Sequence, residues 1–240
     1  MKRFYKNATV DTTLDNAESG DVDGGFRVLL DGRPIKTPGK NSLVMPTEKM
    51  AQSVADEWQA QDEEVDPATM PMMRFAATAV DRITTQRQAV IDEIAAFGGH
   101  DLLCYRGDDP ELVKLQAGSW QPLLDWAADE LGAPLASTAG IVSIDQDPAS
   151  LAVMEAAVAD STDMQLSALH TMTSISGSLI IALALINKHV NLEKAWQATT
   201  VDEHFQQIKW GLDAEAEQRL ITRRQALSDA VRFHALCMIS

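Results

Sequence analysis

Hydrophobic positions in the first 46 residues fall in short runs of the length expected for β-strands. Residues 26–30 form one such run, and the Asp31-Gly32 pair that follows is a strong signal for a two-residue hairpin turn. Residues 42–45 predict another short strand. Residues 15–25 are polar and contain glycine, which predicts a loop or a hairpin tip. The N-terminal segment is therefore predicted to be β-rich.

The hydrophobic period then changes to that of an amphipathic helix. Thr47 is a suitable N-cap, and Met50, Val54 and Trp58 follow at a spacing of four, which places them on one face of a helix. This spacing predicts that Trp58 belongs to the core. A second helix is predicted over 71–97, whose first residue is a proline, as suits a first helical turn.

The rest of the chain shows helical periodicity almost throughout. Gly118 and Ser119 predict a break between one helix at 110–116 and another at 120–131. Residues 141–144 predict a short strand or an extended linker. Further helices are predicted at 149–159, 164–173, 177–186, 192–198, 201–209 and 213–236.

These elements predict an α+β fold. A small antiparallel β-rich N-terminal domain with one helix is expected at 1–64, followed by a larger all-helical domain at 65–240. The length of 240 residues suffices for a sizeable buried core.

The chain is strongly acidic, with 20 Lys and Arg residues against 35 Asp and Glu residues and a formal charge of −15. Such a charge repels nucleic-acid backbones and anionic membrane surfaces, and it favours partners with basic patches. The longest apolar run, at 178–186, is far short of the roughly 20 residues that span a bilayer. We therefore expect neither a nucleic-acid partner nor insertion into a membrane.

Sequence motifs for catalysis and cofactor binding are missing. The chain has no phosphate-binding loop, no dinucleotide-binding glycine pattern and no G-x-S-x-G nucleophile motif. Its five histidines lack metal-ligand spacing, and Cys104 and Cys237 lie too far apart for a zinc motif. Cys104 stands in an apolar run and is expected to be a buried thiol. We expect no catalytic residue, no cofactor and no metal.

Acidic residues cluster near the C-terminus, at Asp202, Glu203, Asp213, Glu215 and Glu217. Three explanations fit their spacing. Asp213 has the character of an N-cap, and acids in a first helical turn suit the helix dipole. The group could instead form an acidic patch for a partner, or supply acid–base chemistry.

Several short segments resemble the assembly chaperones of the catalytic head of ATP synthase, in the order in which that family has them. Each segment alone is weak evidence, but together they span nearly the whole chain and are specific. They are Arg3-Phe4-Tyr5-Lys6, Leu30-Asp31-Gly32-Arg33-Pro34, Lys36-Thr37-Pro38, Glu57-Trp58 with Gln61, Asp66-Pro67 with Met70-Pro71, Thr78-Ala79-Val80-Asp81-Arg82, Asp101-Leu102-Leu103-Cys104-Tyr105-Arg106, Gln116 with Trp120, Pro122 and Trp126, Gly177-Ser178, and Asp202-Glu203 with Trp210-Gly211-Leu212-Asp213-Ala214-Glu215-Ala216-Glu217.

The resemblance implies a non-enzymatic chaperone with a small β-rich N-terminal domain and a helical domain. Such a protein binds the free alpha subunit of ATP synthase, keeps it from aggregating and releases it when the beta subunit arrives. The first matching segment begins at residue 3, and no long apolar stretch follows Lys2 and Arg3. We therefore expect a bacterial member without signal or transit peptide, cytoplasmic and monomeric.

The resemblance also divides the matching residues by expected role. Contact with the partner is expected from Glu203, Trp210, Asp213, Glu215 and Glu217, although for these acids helix capping stays equally open. Structural roles are expected for Asp31, Gly32, Trp58, Asp81 and Arg82. The alternatives are a small hydrolase that uses the C-terminal carboxylates, or a scaffold protein for another complex.

Overall fold

The fold comes from a computed structural model that describes residues 2–11, 25–140, 143–211 and 213–238. Most of the loop predicted at 15–25, and the first two residues of the short strand or linker predicted at 141–144, lie outside the described residues.

Three short strands form an antiparallel sheet near the N-terminus. The strands β1 (Ala8–Asp11), β2 (Arg27–Leu30) and β3 (Arg33–Pro34) lie in that order. Asp31 and Gly32 join β2 to β3 with φ angles of 48° and 80°, which is the left-handed backbone of a type I′ turn. The predicted hairpin is thus confirmed.

The strand predicted at 42–45 is wrong. This segment forms only isolated bridges, between Phe26 and Met45 and between Lys36 and Ser42. The two bridges go to different segments, so no two consecutive residues of 42–45 pair with one neighbour, as a strand ladder requires. The alternation of apolar residues at 42–45 nevertheless buries Leu43 and Met45.

The first helix, α1 (Glu48–Gln59), confirms the predicted N-cap and core face. The Thr47 side chain accepts a hydrogen bond from the backbone N–H of Met50 at 3.1 Å. Met50, Val54 and Trp58 are buried along its inner face. The indole of Trp58 lies edge-on to the ring of Tyr5, with 5.6 Å between ring centroids.

The second predicted helix is present but is not uniform. It comprises α2 (Pro71–Thr78), a π-helical turn (Ala79–Ile83), α3 (Thr84–Ala95) and a 3₁₀ turn (Ala96–His100). Asp81 lies in the π-helical turn, in which each N–H bonds the carbonyl five residues back and not four. The spacing of hydrophobic residues in the sequence does not reveal this change.

The predicted break at Gly118-Ser119 is wrong. One continuous helix, α4 (Pro110–Glu130), runs through both residues and also through Pro122. Its buried side chains hold it together across these weak helix formers, because tertiary packing overrides local propensity. They are Gln116, Trp120, Leu123, Leu124, Trp126 and Ala127.

The remaining predicted helices are confirmed with small shifts at their ends. They are α5 (Pro148–Ala159), α6 (Asp163–Ser176), α7 (Leu179–Ile186), α8 (Leu192–Thr199), α9 (Val201–Trp210) and α10 (Ala214–Cys237). Short 3₁₀ turns occupy Pro67–Thr69 and Leu102–Cys104, and the strands β4 (Tyr105–Arg106) and β5 (Thr138–Ala139) pair in parallel. The α+β fold class is confirmed. Within the described ranges, none of the helices has the length and hydrophobicity that crossing a membrane requires.

The chain forms two compact units. The first comprises residues 1–87, 163–168 and 232–240, and the second comprises residues 88–162 and 169–231. These units are defined by contacts between residues, whereas the predicted domain division at residue 64 was placed where strands give way to helices. The predicted division therefore stays a prediction. In the first unit, the sheet and α1 enclose a core that also includes Phe75 packed against Phe233, with 5.0 Å between ring centroids.

The core of the second unit is built around α7, which is apolar on all sides and almost completely buried. Its N-terminal N–H groups cannot reach water and therefore need partners inside the protein. The carboxylate of Asp101, itself fully buried, accepts from the N–H of Ile180 at 3.1 Å. The hydroxyl of Ser178 accepts from the N–H of Ile181 at 3.0 Å. Burial raises the pKa of Asp101 to about 6, against the hydrogen bonds from the Ser178 side chain and from the N–H of Ile180 to its carboxylate, which lower it.

Trp58→Arg tests the core position of Trp58. Because a guanidinium replaces a buried indole, we expect a loss of about 3–5 kcal/mol in the free energy of unfolding, measured by urea titration. Trp210→Arg is the matched control, since Trp210 is 75% exposed and the same change there should cost less than about 0.5 kcal/mol. Equal stability of the two variants would contradict a core role for Trp58.

Two glycine substitutions should have opposite effects on stability. Gly118→Ala should raise the free energy of unfolding by about 0.5–1 kcal/mol, because Gly118 lies inside α4 and an added Cβ meets no atom within 4 Å. Gly32→Ala should lower it by about 1–2 kcal/mol, because Gly32 has a φ angle of 80°. Thermal unfolding of both variants and of the wild type shows whether each substitution raises or lowers the free energy of unfolding.

Candidate partner-binding surface

A groove of about 1080 Å³ lies in the second unit between α4, α8, α9 and α10. We call it the α4–α9 groove. Two of its aliphatic side chains are strongly exposed, Leu115 at 46% and Ile208 at 68%. Exposed large aliphatic side chains within one concave surface are typical of a binding site. The apolar lining consists of Leu115, Trp196, Val201, Phe205, Ile208 and Leu220.

One face of α4 forms a wall of the groove. The wall residues Glu111, Lys114, Leu115, Gly118 and Ser119 recur at the spacing of a single helical face. The opposite side of the same helix carries the buried residues that fix α4 in the core. The sequence therefore builds an amphipathic helix in which the less buried face is itself partly apolar.

Polar contacts hold α4 against α8 and α9. The buried amide of Gln116 donates to the carboxylate of Asp202 at 2.7 Å, and the indole N–H of Trp120 donates to the carbonyl of Ala198 at 2.8 Å. The ammonium of Lys209 lies 2.6 Å from the carboxylate of Asp109. The hydrogen bond between them lowers the pKa of Asp109 and raises that of Lys209. Gln116, Trp120 and Asp202 belong to the sequence segments that resemble the chaperone family. Their hydrogen bonds thus fix the walls of the groove.

Charged groups on the groove are mostly paired within the chain. Lys209 is paired with Asp109, and Arg224 is paired with Glu193. Lys114 differs, because no carboxylate of the described residues forms an ion pair with it. It is exposed and lines the groove beside Leu115.

Glu203 forms an ion pair with Arg223, at 2.8 Å, which joins α9 to α10. Arg223 also donates to the carbonyl of Ile175 at 3.2 Å. Glu203 and Arg223 are each more than a third exposed, so the pair contributes at most about 1 kcal/mol to stability. The expected contact of Glu203 with a partner stays a prediction.

The other residues expected to contact the partner lie at the junction of α9 and α10. Trp210 is the last residue of α9 and is 75% exposed. Asp213 accepts a hydrogen bond from the N–H of Ala216 at 2.8 Å, so it caps α10, as its position in the sequence suggested. Glu215 pairs with Arg219 one turn later, and Glu217 is exposed in the same first turn. Capping does not prevent these exposed acids from touching a partner, and that role stays a prediction.

The residues expected to have structural roles lie in the first unit. Asp31 accepts from the N–H groups of Lys6 and Asn7, which lowers its pKa. Asp81 is partly buried, which alone would raise its pKa. Hydrogen bonds from the loop at 37–41 outweigh this effect and lower the pKa of Asp81.

The position of the Asp81 carboxylate explains why residue 39 is a glycine. A Cβ atom on Gly39 would lie 2.7 Å from the Asp81 carboxylate, so the loop cannot approach this closely with a larger residue there. Arg82 is exposed in the same π-helical turn, and Trp58 and Gly32 lie in the core and the hairpin turn described above.

Metal binding finds no support among the described residues, which contain no group of three His, Cys, Asp or Glu side chains placed to hold an ion. The two cysteines, Cys104 and Cys237, are free and buried, and burial raises the pKa of each thiol to about 12. Neither thiol is therefore a nucleophile at neutral pH.

Comparison with known proteins gives the family. Residues 2–128 match the model of the ATP12 chaperone protein family. The mitochondrial protein atp12 of Schizosaccharomyces pombe is 23% identical over 231 residues, which cover 91% of this chain and 76% of that protein.

Solved structures agree over almost the full length. The crystal structure of Atp12 from Paracoccus denitrificans is 41% identical, covers 99% of this chain and 98% of its own, and has a TM-score of 0.91. The Atu1473 protein of Agrobacterium tumefaciens is also 41% identical, with coverage of 99% and 86% and a TM-score of 0.90. Members of the matching family are assembly chaperones and not enzymes, so the alternative of a small hydrolase is wrong. The chain belongs to the ATP12 chaperone family, the ATP synthase assembly chaperones that its sequence segments resemble.

Proposed function

We propose that this chaperone binds the free alpha subunit of ATP synthase, keeps it from aggregating and releases it to the beta subunit. The observation that carries the proposal is the α4–α9 groove, with Leu115 and Ile208 exposed in it. Trp210, on the same helix as Ile208, adds an exposed aromatic ring of the kind that dominates binding energy at protein interfaces.

The alpha subunit requires protection from aggregation before it is assembled. A subunit that is meant to be flanked by neighbours exposes apolar surface until they arrive, and such surface aggregates. A chaperone with apolar contacts of its own must avoid self-association, and a net charge of −15 provides the necessary repulsion between copies. The same charge speeds the encounter with basic patches on the client.

The acids of α9 and α10 are proposed as the polar rim of this surface. Glu203 and Glu217 lie on exposed or half-exposed helix faces, and Asp213 and Glu215 lie in the first turn of α10 or next to it. Rim charges affect the rate of association more than the final affinity. They therefore suit a contact that must form quickly and be given up again.

We also propose that the protein acts as a monomer in the cytoplasm. Two buried, unpaired cysteines are compatible with a reducing compartment.

Co-purification identifies the client. A tagged form of the full chain, expressed in its own cells, should bring down the ATP synthase alpha subunit as the main partner. It should also suppress aggregation of purified alpha subunit at equimolar concentration. If subunits of an unrelated complex dominate instead, the protein is a scaffold for that complex and the proposal is wrong.

Glu203→Lys should slow capture of the alpha subunit by about tenfold or more, measured as the association rate constant, because it puts a second cation beside Arg223 on the proposed rim. The melting temperature should fall by no more than about 4 °C, since the lost ion pair is half-exposed. Glu155→Lys is the matched control, because it makes the same charge change at an exposed position on α5.

The double variant Glu203→Lys with Arg223→Glu separates two explanations of that result. It restores an ion pair in reversed order but leaves a cation at 203. Capture that stays slow supports direct contact of Glu203 with the client. Full recovery of capture would show that Glu203 acts only by fixing Arg223, and Glu203 would leave the proposed contact surface.

A further inference from the structure

We infer that the α4–α9 groove receives a helical segment of the client, with apolar side chains against Leu115 and Ile208 and an acidic side chain opposite Lys114. This inference rests on the proposed function, because the client is taken to be the ATP synthase alpha subunit. Four features of the groove support it.

The first feature is the nature of the walls. All the residues that line the groove lie on α4, α8, α9 and α10 or at the junction of α8 and α9. Helices bond their own backbone groups, so these walls offer no strand edge to an extended segment. An extended segment would lose the water on its N–H and C=O groups without replacement. A helix satisfies its own backbone and needs only side-chain contacts.

The second feature is size. A helix about 10 Å across that rises 1.5 Å per residue occupies roughly 120 Å³ per residue. A groove of about 1080 Å³ therefore has room for two helical turns or more. That length presents two or three side chains on one face, which matches two exposed aliphatic residues and one cation in the groove.

The third feature is Gly118. A glycine inside a helix costs about 0.5–1 kcal/mol relative to alanine. Among the residues that the structure describes, none requires it, because an added Cβ would meet no atom within 4 Å and the backbone is helical. Gly118 lines the groove beside Ser119, another small residue. The absence of a side chain there leaves room for a second helix to approach α4 closely.

The fourth feature is the charge of the groove. Lys209 and Arg224 have acidic partners within the chain, whereas no described carboxylate pairs with Lys114. Docking of an apolar helix would remove water from Lys114, which is unfavourable unless an opposite charge replaces that water. The matching client segment therefore carries an acidic residue at this position.

Gly118→Phe and Gly118→Ala form a matched pair that tests the groove with purified alpha subunit. The phenylalanine fills the groove, and we expect its affinity for the alpha subunit to fall at least tenfold, measured by titration. The alanine adds one methyl group at the place of close approach, and we expect a smaller loss of affinity, of about two- to fivefold. Circular dichroism and thermal unfolding verify that both variants are folded. A folded Gly118→Phe variant with wild-type affinity would overturn the inference.

Photo-crosslinking tests the helical form of the occupant and does not depend on the phenylalanine variant. A benzophenone amino acid is placed at Leu115 or at Ile208 in the full chain, and at Val153 on α5, outside the groove lining, as a control. Crosslinks from the two groove positions should map to one client segment, at residues three, four or seven apart. Crosslinks to alternating residues, or none from the groove while the alpha subunit is still captured, would overturn the inference.

Charge reversal completes the test. Lys114→Glu should weaken binding of the alpha subunit, and replacing the acidic residue of the crosslinked segment by lysine should restore it. Lack of rescue would remove Lys114 from the contact. These outcomes are distinct from failure of the proposed function, which would appear as wild-type protein that does not bind the alpha subunit.

Discussion

The second unit depends on how the buried N-terminus of α7 is satisfied. A helix that is apolar on all sides can lie in the middle of a core only if its first N–H groups find acceptors there. Asp101 and Ser178 supply these acceptors. Because α4 and α8 both pack on α7, the position of two groove walls follows from this buried carboxylate. A structural interaction deep in the core thus fixes the geometry of the surface.

A groove with rigid walls needs tight packing behind the walls and unfilled space between them. The two faces of α4 provide these separately. The inner face is fully packed and carries the hydrogen bonds of Gln116 and Trp120 to α9 and α8. The outer face keeps a glycine where alanine would be more stable. These hydrogen bonds act around the groove without filling it, so in the proposed docking the client helix enters a groove that is already open.

The sequence predicted those elements whose causes are local. Thr47 and Asp213 were identifiable as caps because capping involves residues three positions apart. The break at Gly118 was predicted wrongly because distant side chains stabilise α4 through it. The groove could not be predicted, since Ile208 follows Val201 and Phe205 at helical spacing and yet is exposed while they are buried. Likewise, the pairing of Glu203 with Arg223 depends on how α9 and α10 meet.

The ion pairs within the groove affect how easily a docked client segment can leave it. Lys209 and Arg224 keep their own acidic partners, so a docked segment does not have to replace those ion pairs and gains little from them. In the proposed docking, binding energy then comes from a few apolar contacts in the groove and from Lys114. In the proposed release, a partner that offers the alpha subunit a larger apolar surface competes with these few contacts, and the ion pairs of Lys209 and Arg224 do not have to be broken first.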